Sequence, residues 1–241
     1  MPTTVREETV PEATLTIAVP FVRRLIAFHR YRVVGLEHVP SAGPALIVFT
    51  HSLATYDIFL FGATLYFERQ RLIASLADRL IFKTPLLRDL ARHLHAVPGE
   101  PEGARALLEA GRLVGVAPGG MREALRPKER RYALDWKGRT GFARLALEAK
   151  VPVILAACPR ADDLYDVVDH PFTRWVYERW RMPLPVTRRI LPRRVSLVHL
   201  LSEPIDPPKI AGARASRDEA AAFAAALEGR MQALVNDALM L

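Results

Sequence analysis

Cysteine occurs once in the 241 residues, as Cys158. An intrachain disulfide framework is therefore excluded, and the usage fits a reducing compartment. Cys158 closes the apolar run VPVILAAC and reads as a core residue. Long uncharged hydrophobic runs are also missing: none reaches the roughly 18 residues that a spanning helix needs. The N-terminus carries Arg6, Glu7, Glu8 and Glu12 ahead of any apolar run, which does not fit a secretory signal. There is no Gly-x-Ser-x-Gly elbow, so a serine-based covalent intermediate is not suggested. Repeats, low-complexity tracts and dividing linkers are absent too. Acid is in short supply: 34 Lys+Arg stand against 26 Asp+Glu, a net charge of +8. That balance points to an anionic partner, whether nucleic acid, a lipid surface or a phosphorylated substrate.

What is present is apolar sequence, half of all residues, enough for a sizeable core. Residues 1–32 read as a polar arm followed by an amphipathic helix, in which Arg23, Arg24, Arg30 and Arg32 alternate with Phe21, Leu25, Ile26 and Phe28. Pro20 is expected to start or kink that helix. Two roles suit it: packing on the core, or lying in a membrane interface with arginines at the head groups. Residues 33–241 read as a single domain. Strands are expected at 32–34, 45–49, 71–76, 96–97, 113–117, 151–157 and 195–201. Helices are expected over 58–67, 78–94 (broken before Pro85), 102–109, 139–149 and 216–239, with another inside 171–181. This alternation implies an α/β fold: a mostly parallel central sheet flanked by helices, with an N-terminal amphipathic helix and a C-terminal helix.

Two motifs carry chemistry. In ALIVFTHSLATYD a buried strand ends at Thr50, His51 follows, and Asp57 comes on the next helical turn. An imidazole and a carboxylate so placed can take a proton from a hydroxyl, the carboxylate fixing the ring tautomer and balancing the imidazolium. Equally, His51 can be a turn residue and Asp57 a helix N-terminal acid. The second motif, Pro118-Gly119-Gly120-Met121-Arg122-Glu123, also follows a strand. Its glycines let backbone N–H groups aim into a cleft, and Arg122 offers a fork suited to phosphate or carboxylate. A tight turn with a surface ion pair is the alternative. In an open α/β sheet, ligands collect at the carboxyl ends of strands, where both motifs sit.

Together with KVPVILAACP, the two motifs make the chain resemble the lysophospholipid acyltransferase superfamily, which includes the 1-acylglycerol-3-phosphate acyltransferases. That pattern has four residues between His and Asp, then Phe-Pro-Glu-Gly-Thr-Arg. Here five residues separate His51 from Asp57, and Gly119 replaces the glutamate. Both departures resemble the diacylglycerol acyltransferase and phytyl ester synthase branch. A related animal acyltransferase is similar also in ADRLIFKTP and in YALDWKGRTGFARLALEAKVPVI. The resemblance covers Val33 to Cys158. It implies that His51 is the catalytic base, Asp57 its orienting partner, and Gly119, Gly120, Arg122 and Glu123 a substrate-binding turn.

The implied reaction moves a fatty acyl group from acyl-CoA or acyl-carrier protein to a lipid hydroxyl, at the cytoplasmic face of a membrane. No cofactor or metal is implied, and the partners are the lipid surface, the thioester donor and the lipid acceptor. Two other readings stay open: a lysophospholipid acyltransferase making phosphatidate, and a lipid-binding protein without turnover. A nucleic-acid-binding role leaves the motif pairing unexplained. Ser52 reads as a loop or helix-start residue. His93 and His95 lack a third metal ligand nearby in sequence. Arg79, Lys83 and Arg88, like Arg139 and Arg144, can meet an anion or simply face solvent. The segment 172–194 mixes Trp175, Tyr177 and Trp180 with arginines, as suits a membrane interface, though single-stranded nucleic acid or a helical insertion packed on the core fits the same composition.

Overall fold

In the computed structural model, residues 12–83, 88–89, 91, 95–167, 175, 179, 187 and 191–241 are described. Most of the expected 85–94 helical piece and of the expected 171–181 helix, together with His93, Tyr177 and Trp180, lies outside these residues. The strands are β1 (Arg32–Val34), β2 (Ala45–Phe49), β3 (Ile73–Ala77), β4 (Ala96–Pro98), β5 (Leu113–Val116), β6 (Val153–Ala157) and β7 (Val198–Leu201). The helices are α1 (Glu12–Phe28), α2 (Tyr56–Arg69), α3 (Arg79–Lys83), α4 (Pro101–Glu109), α5 (Met121–Ala124), α6 (Gly141–Ala149) and α7 (Arg217–Leu239).

The strands form one sheet in the order β1-β7-β6-β2-β5-β3-β4. Every pairing is parallel except β6 with β7. Strand β2 lies at the centre, and all five of its residues are buried. Its parity explains why the run is apolar throughout. Leu46 and Val48 face one core with Leu108 of α4, Phe142 of α6 and Leu227 and Met231 of α7. Ile47 and Phe49 face the other, with Leu60, Phe61 and Leu65 of α2. A strand covered on both sides needs apolar residues at both parities.

The antiparallel β7 has a positional consequence. It and β1 run opposite to the other five strands, so their beginnings lie beside the ends of β2 and β6. Ala157 at the end of β6 pairs with Leu200, and Val33 pairs with His199. The carboxyl edge that receives His51 therefore also receives Tyr31 and His199.

Three local readings are corrected by the structure. Helix α1 runs through Pro20, so of the two expectations for that proline, a start or a kink, the start is overturned; the proline forgoes one intrahelical hydrogen bond. Within it Val22 is buried, Leu25 and Ile26 pack on the second core, and Phe21 and Phe28 stay exposed. Arg71 precedes β3 instead of belonging to it. Its guanidinium ties three loops together by donating to the carbonyls of Pro40 (2.7 Å), Gly43 (2.7 Å) and Gly111 (3.0 Å). Helix α7 starts behind Ser216, whose hydroxyl accepts from the Glu219 amide while Glu219 accepts from the Ser216 amide, a reciprocal cap.

Candidate active site

His51 leaves the end of β2 partly exposed, beside a small cleft walled by Tyr132, Leu134, Cys158 and Asp162. Its Nδ1 lies 2.8 Å from the carbonyl oxygen of Ser52. A carbonyl only accepts, so Nδ1 carries the proton and Nε2 keeps a free lone pair. Burial, with further push from the Arg126 and Arg139 charges, lowers the imidazole pKa to about 4. The ring is therefore neutral at pH 7 and able to receive a proton.

Asp57 does not take the place expected of it. Rather than holding His51 Nδ1, its fully buried carboxylate accepts at Oδ1 from the Ser52 hydroxyl. Its Oδ2 lies 3.7 Å from His199 Nε2. The link from Asp57 to His51 thus passes through Ser52, whose hydroxyl serves one and whose carbonyl serves the other. The five-residue gap is what admits this. Leu53–Thr55 form a short 3-10 turn, and Thr55 adopts φ 52°, so α2 begins later and Asp57 faces inward. Burial raises the Asp57 pKa to about 7, against the Ser52 hydrogen bond, which lowers it. Ser52, read from sequence as a loop or helix-start residue, does precede the 3-10 turn as its N-cap, and it is also a buried connector.

The PGG turn reaches the same edge from β5. Gly120 adopts φ 55°, ψ −151°, a conformation essentially reserved for glycine. Glu123 is buried, with one carboxylate oxygen accepting from the His51 amide (3.1 Å) and the other from the Asp135 amide (2.9 Å). Read from sequence as part of a substrate-binding turn, it instead joins the two motifs and the loop beyond. A Cβ at Gly119 would overlap the Glu123 carboxylate. That explains Gly119 in place of glutamate: the space belongs to a carboxylate delivered from four positions further on. Burial raises the Glu123 pKa while the Arg126 charge lowers it.

Arg126, not singled out from the sequence, is the hub of this wall. Its Nε donates to the Glu123 carbonyl (3.0 Å) and lies 3.4 Å from an Asp162 oxygen. It also donates to the His51 carbonyl (3.3 Å) and to Ala133. The signal available in sequence was the spacing Glu123-x-x-Arg126, one helical turn. Arg139 donates to the Pro118 carbonyl and lies over Gly120, so it braces the turn. Arg122 is exposed, with no ion pair among the described residues. Cys158 is buried beside the cleft, and burial raises its thiol pKa well above the ordinary value, which favours the neutral thiol over the thiolate.

A neutral imidazole with its tautomer fixed, at the ligand-binding edge of an α/β sheet, defines an enzyme-type site suited to proton transfer. The acyltransferase family model matches residues 30–158, and the chain belongs to that family. It is 34% identical over 82% of its length to a Bos taurus protein described as "DGAT1/2-independent enzyme synthesizing storage lipids". The Homo sapiens protein of the same description is 35% identical over 71% of the chain. The chain spans 59% and 53% of the length of these two relatives. Among solved structures, the 1-acyl-sn-glycerophosphate acyltransferase PlsC of Thermotoga maritima shares the fold. The TM-score is 0.56 at 17% identity, covering 90% of this chain and 77% of that one.

Proposed function

We propose that the protein transfers a fatty acyl group from a thioester, acyl-CoA or acyl-carrier protein, to the hydroxyl of a neutral glycerolipid or long-chain alcohol. The observation that carries this reading is His51: its Nδ1–H is engaged by Ser52, which leaves the lone pair on Nε2, and the residue lines the cleft in a chain of the acyltransferase family. Nε2 removes the acceptor's hydroxyl proton as the oxygen attacks the thioester carbon. The C–S bond breaks from the tetrahedral intermediate, and the imidazolium returns the proton to the thiolate. Asp57, through Ser52, balances the transient positive charge. Gly119 and Gly120 shape the turn that receives substrate, Glu123 holds the His51 backbone in place, and Arg122 meets an anionic group of donor or acceptor. The storage-lipid description of the relatives supports a neutral acceptor. The exposed, uncommitted Arg122 favours a second reading, in which the acceptor is a lysophospholipid and the product phosphatidate.

The protein works at a membrane surface, on the cytoplasmic face. Among the described residues no helix is long and apolar enough to cross a bilayer. The exposed Phe21, Phe28, Trp175 and Leu191, with Arg23 and Arg24 on α1, suit docking on anionic lipid. The test is an acceptor panel: labelled oleoyl-CoA with lysophosphatidate, diacylglycerol or hexadecanol in anionic vesicles. Product from diacylglycerol or hexadecanol is expected, with His51→Ala slower by about 10²–10⁴-fold, the usual worth of a general base. Product from lysophosphatidate alone moves the assignment to the second reading. Equal rates for wild type and His51→Ala remove His51 from the mechanism. Vesicle binding with no product from any acceptor supports a lipid-binding protein instead.

A further inference from the structure

Behind Asp57 lies a buried polar stack that the reaction above does not use. Tyr31, just before β1, places its hydroxyl 2.8 Å from Nδ1 of His199 on β7. The other ring nitrogen, Nε2, points at Asp57 Oδ2 from 3.7 Å. Both of these facing atoms are buried, and neither has a hydrogen-bond partner. Two unpartnered polar atoms in a core are costly, on the order of 1–3 kcal/mol each. Here a shift of about half an ångström would turn their separation into a hydrogen bond. His199 itself is completely buried and packed among rings, edge-on to Phe49 and Tyr31 and tilted against Phe61. A fold that needed only volume here would be better served by an apolar side chain.

We propose that Tyr31 and His199 form a relay that positions Asp57 for its part in acyl transfer, with His199 Nε2–H donated to Asp57 Oδ2. The tautomer follows from the order of the groups. The Tyr31 hydroxyl donates to Nδ1, which leaves the ring proton on Nε2, and Nε2 faces a carboxylate that only accepts when ionised. The completed chain runs Tyr31, His199, Asp57, Ser52, His51, contributed by the start of β1, the start of β7, the start of α2 and the end of β2. His199 and Tyr31 touch neither the cleft nor a substrate, so they are positioning residues. The proposal rests on Asp57 having the role given above. The other titratable groups around Asp57 are Cys158, after β6, and Asp162, in the turn beyond it. Cys158 stays a neutral thiol. Asp162 is held by Arg126 and disfavours the Asp57 charge, while the Ser52 hydroxyl and the Asp57 and Ile58 amides favour it; the relay adds a donor at Oδ2, the oxygen left without one.

The experiment uses the full chain with oleoyl-CoA as donor and dioleoylglycerol as acceptor. His199→Leu is expected to lower kcat about tenfold with KM within about twofold, and to move the acid limb of the kcat/KM profile up by about one pH unit. The direction follows because losing a donor to the carboxylate makes Asp57 harder to ionise. His199→Gln, which restores an N–H near the Nε2 position, recovers most of the loss, and Tyr31→Phe gives a smaller shift of the same sign. If folded His199→Leu keeps the wild-type acid limb, or Leu and Gln variants fall equally with that limb unmoved, the relay is wrong. A loss in His51→Ala without one in His199→Leu overturns the relay alone, while full activity in His51→Ala overturns the general-base reading. Independently of activity, 15N shifts of the wild-type imidazoles at pH 8.5 are expected to show His199 protonated on Nε2. Protonation on Nδ1 instead overturns the proposal even if no variant folds.

Discussion

At the scale of single residues, the site turns on who occupies the space beside Gly119. The family resemblance grouped Gly119, Gly120, Arg122 and Glu123 as one substrate-binding turn, because a resemblance rests on residue types and spacing. Which of them faces a cleft and which faces the core is decided by the turn's backbone, and there Glu123 goes inward. Its carboxylate accepts from the amides of His51 and Asp135 and fills the volume where a residue 119 side chain would begin. Gly119→Ala therefore forces Glu123 away from both amides and is expected to destabilise the fold by about 1–3 kcal/mol, as overpacking does. Gly103→Ala is the contrast, since it sits in α4 with nothing within 4 Å of the added carbon. That change should be neutral or stabilising by up to about 1 kcal/mol. Urea midpoints for the two variants decide the matter; equal shifts would mean that the crowding at Gly119 has no energetic weight. His51 itself was legible because a histidine directly after a buried strand has one place to go, the carboxyl edge. Ser52 was not, because its two hydrogen bonds run through a hydroxyl and a carbonyl that carry no pattern in the sequence.

At the scale of elements, periodicity located almost every strand and helix among the described residues, because each is amphipathic or doubly buried in the way its neighbours require. What periodicity does not say is which polar residues on a helix bind something. The long helix α7 reads as a solvated polar face with alanine behind it. Two residues of that face instead hold the loop that walls the cleft. Glu228 accepts from the Trp136 amide (3.2 Å). Gln232 accepts from the Leu134 amide (3.2 Å) and donates to the Tyr132 carbonyl (3.2 Å). Trp136 anchors the same loop, buried edge-on against Phe142 with ring centroids 5.1 Å apart. Gln232→Ala removes two of these ties while leaving the helix intact. It is expected to cost about 1–2 kcal/mol, since each net hydrogen bond is worth about 0.5–1.5 kcal/mol. Amide exchange at Leu134 should quicken, with exchange inside β2 unaltered. Mass-resolved hydrogen exchange reads both, and an unchanged Leu134 amide would show that α7 does not hold the loop.

At the scale of the whole molecule, the direction of β1 and β7 was the least legible feature. It depends on how the long connection from Cys158 to β7 returns, and strand composition is blind to direction. Yet that direction is what brings Tyr31 and His199 to the edge already holding His51 and Asp57, so four ionisable groups share a poorly solvated region. Their shifts set the pH dependence of stability. Burial lowers His51 to about 4 and His199 to about 3 from 6.5, so between about pH 4 and 6.5 the unfolded chain holds two protons there that the folded chain lacks. Burial raises Asp57 from 3.8 to about 7, so over the same window the folded chain holds one proton that the unfolded chain has lost. Two less one leaves a net excess of one proton on the unfolded side. Stability from these groups should therefore fall as pH drops from 6.5 to 4, by about 1.4 kcal/mol per pH unit. His29, also lowered by burial, adds to the fall, while the raised Glu123 and Asp162 oppose it. Substitution isolates one contribution from the sum. His51→Asn removes one proton from the unfolded side, so the variant's stability should fall by about 1.4 kcal/mol less per pH unit than the wild type's. Urea unfolding of both proteins at pH 6.5, 5.5 and 4.5 measures the two slopes. Parallel lines would mean that His51 titrates alike in the folded and unfolded chains, and would remove the burial and the Arg126 and Arg139 charges as determinants of its basicity.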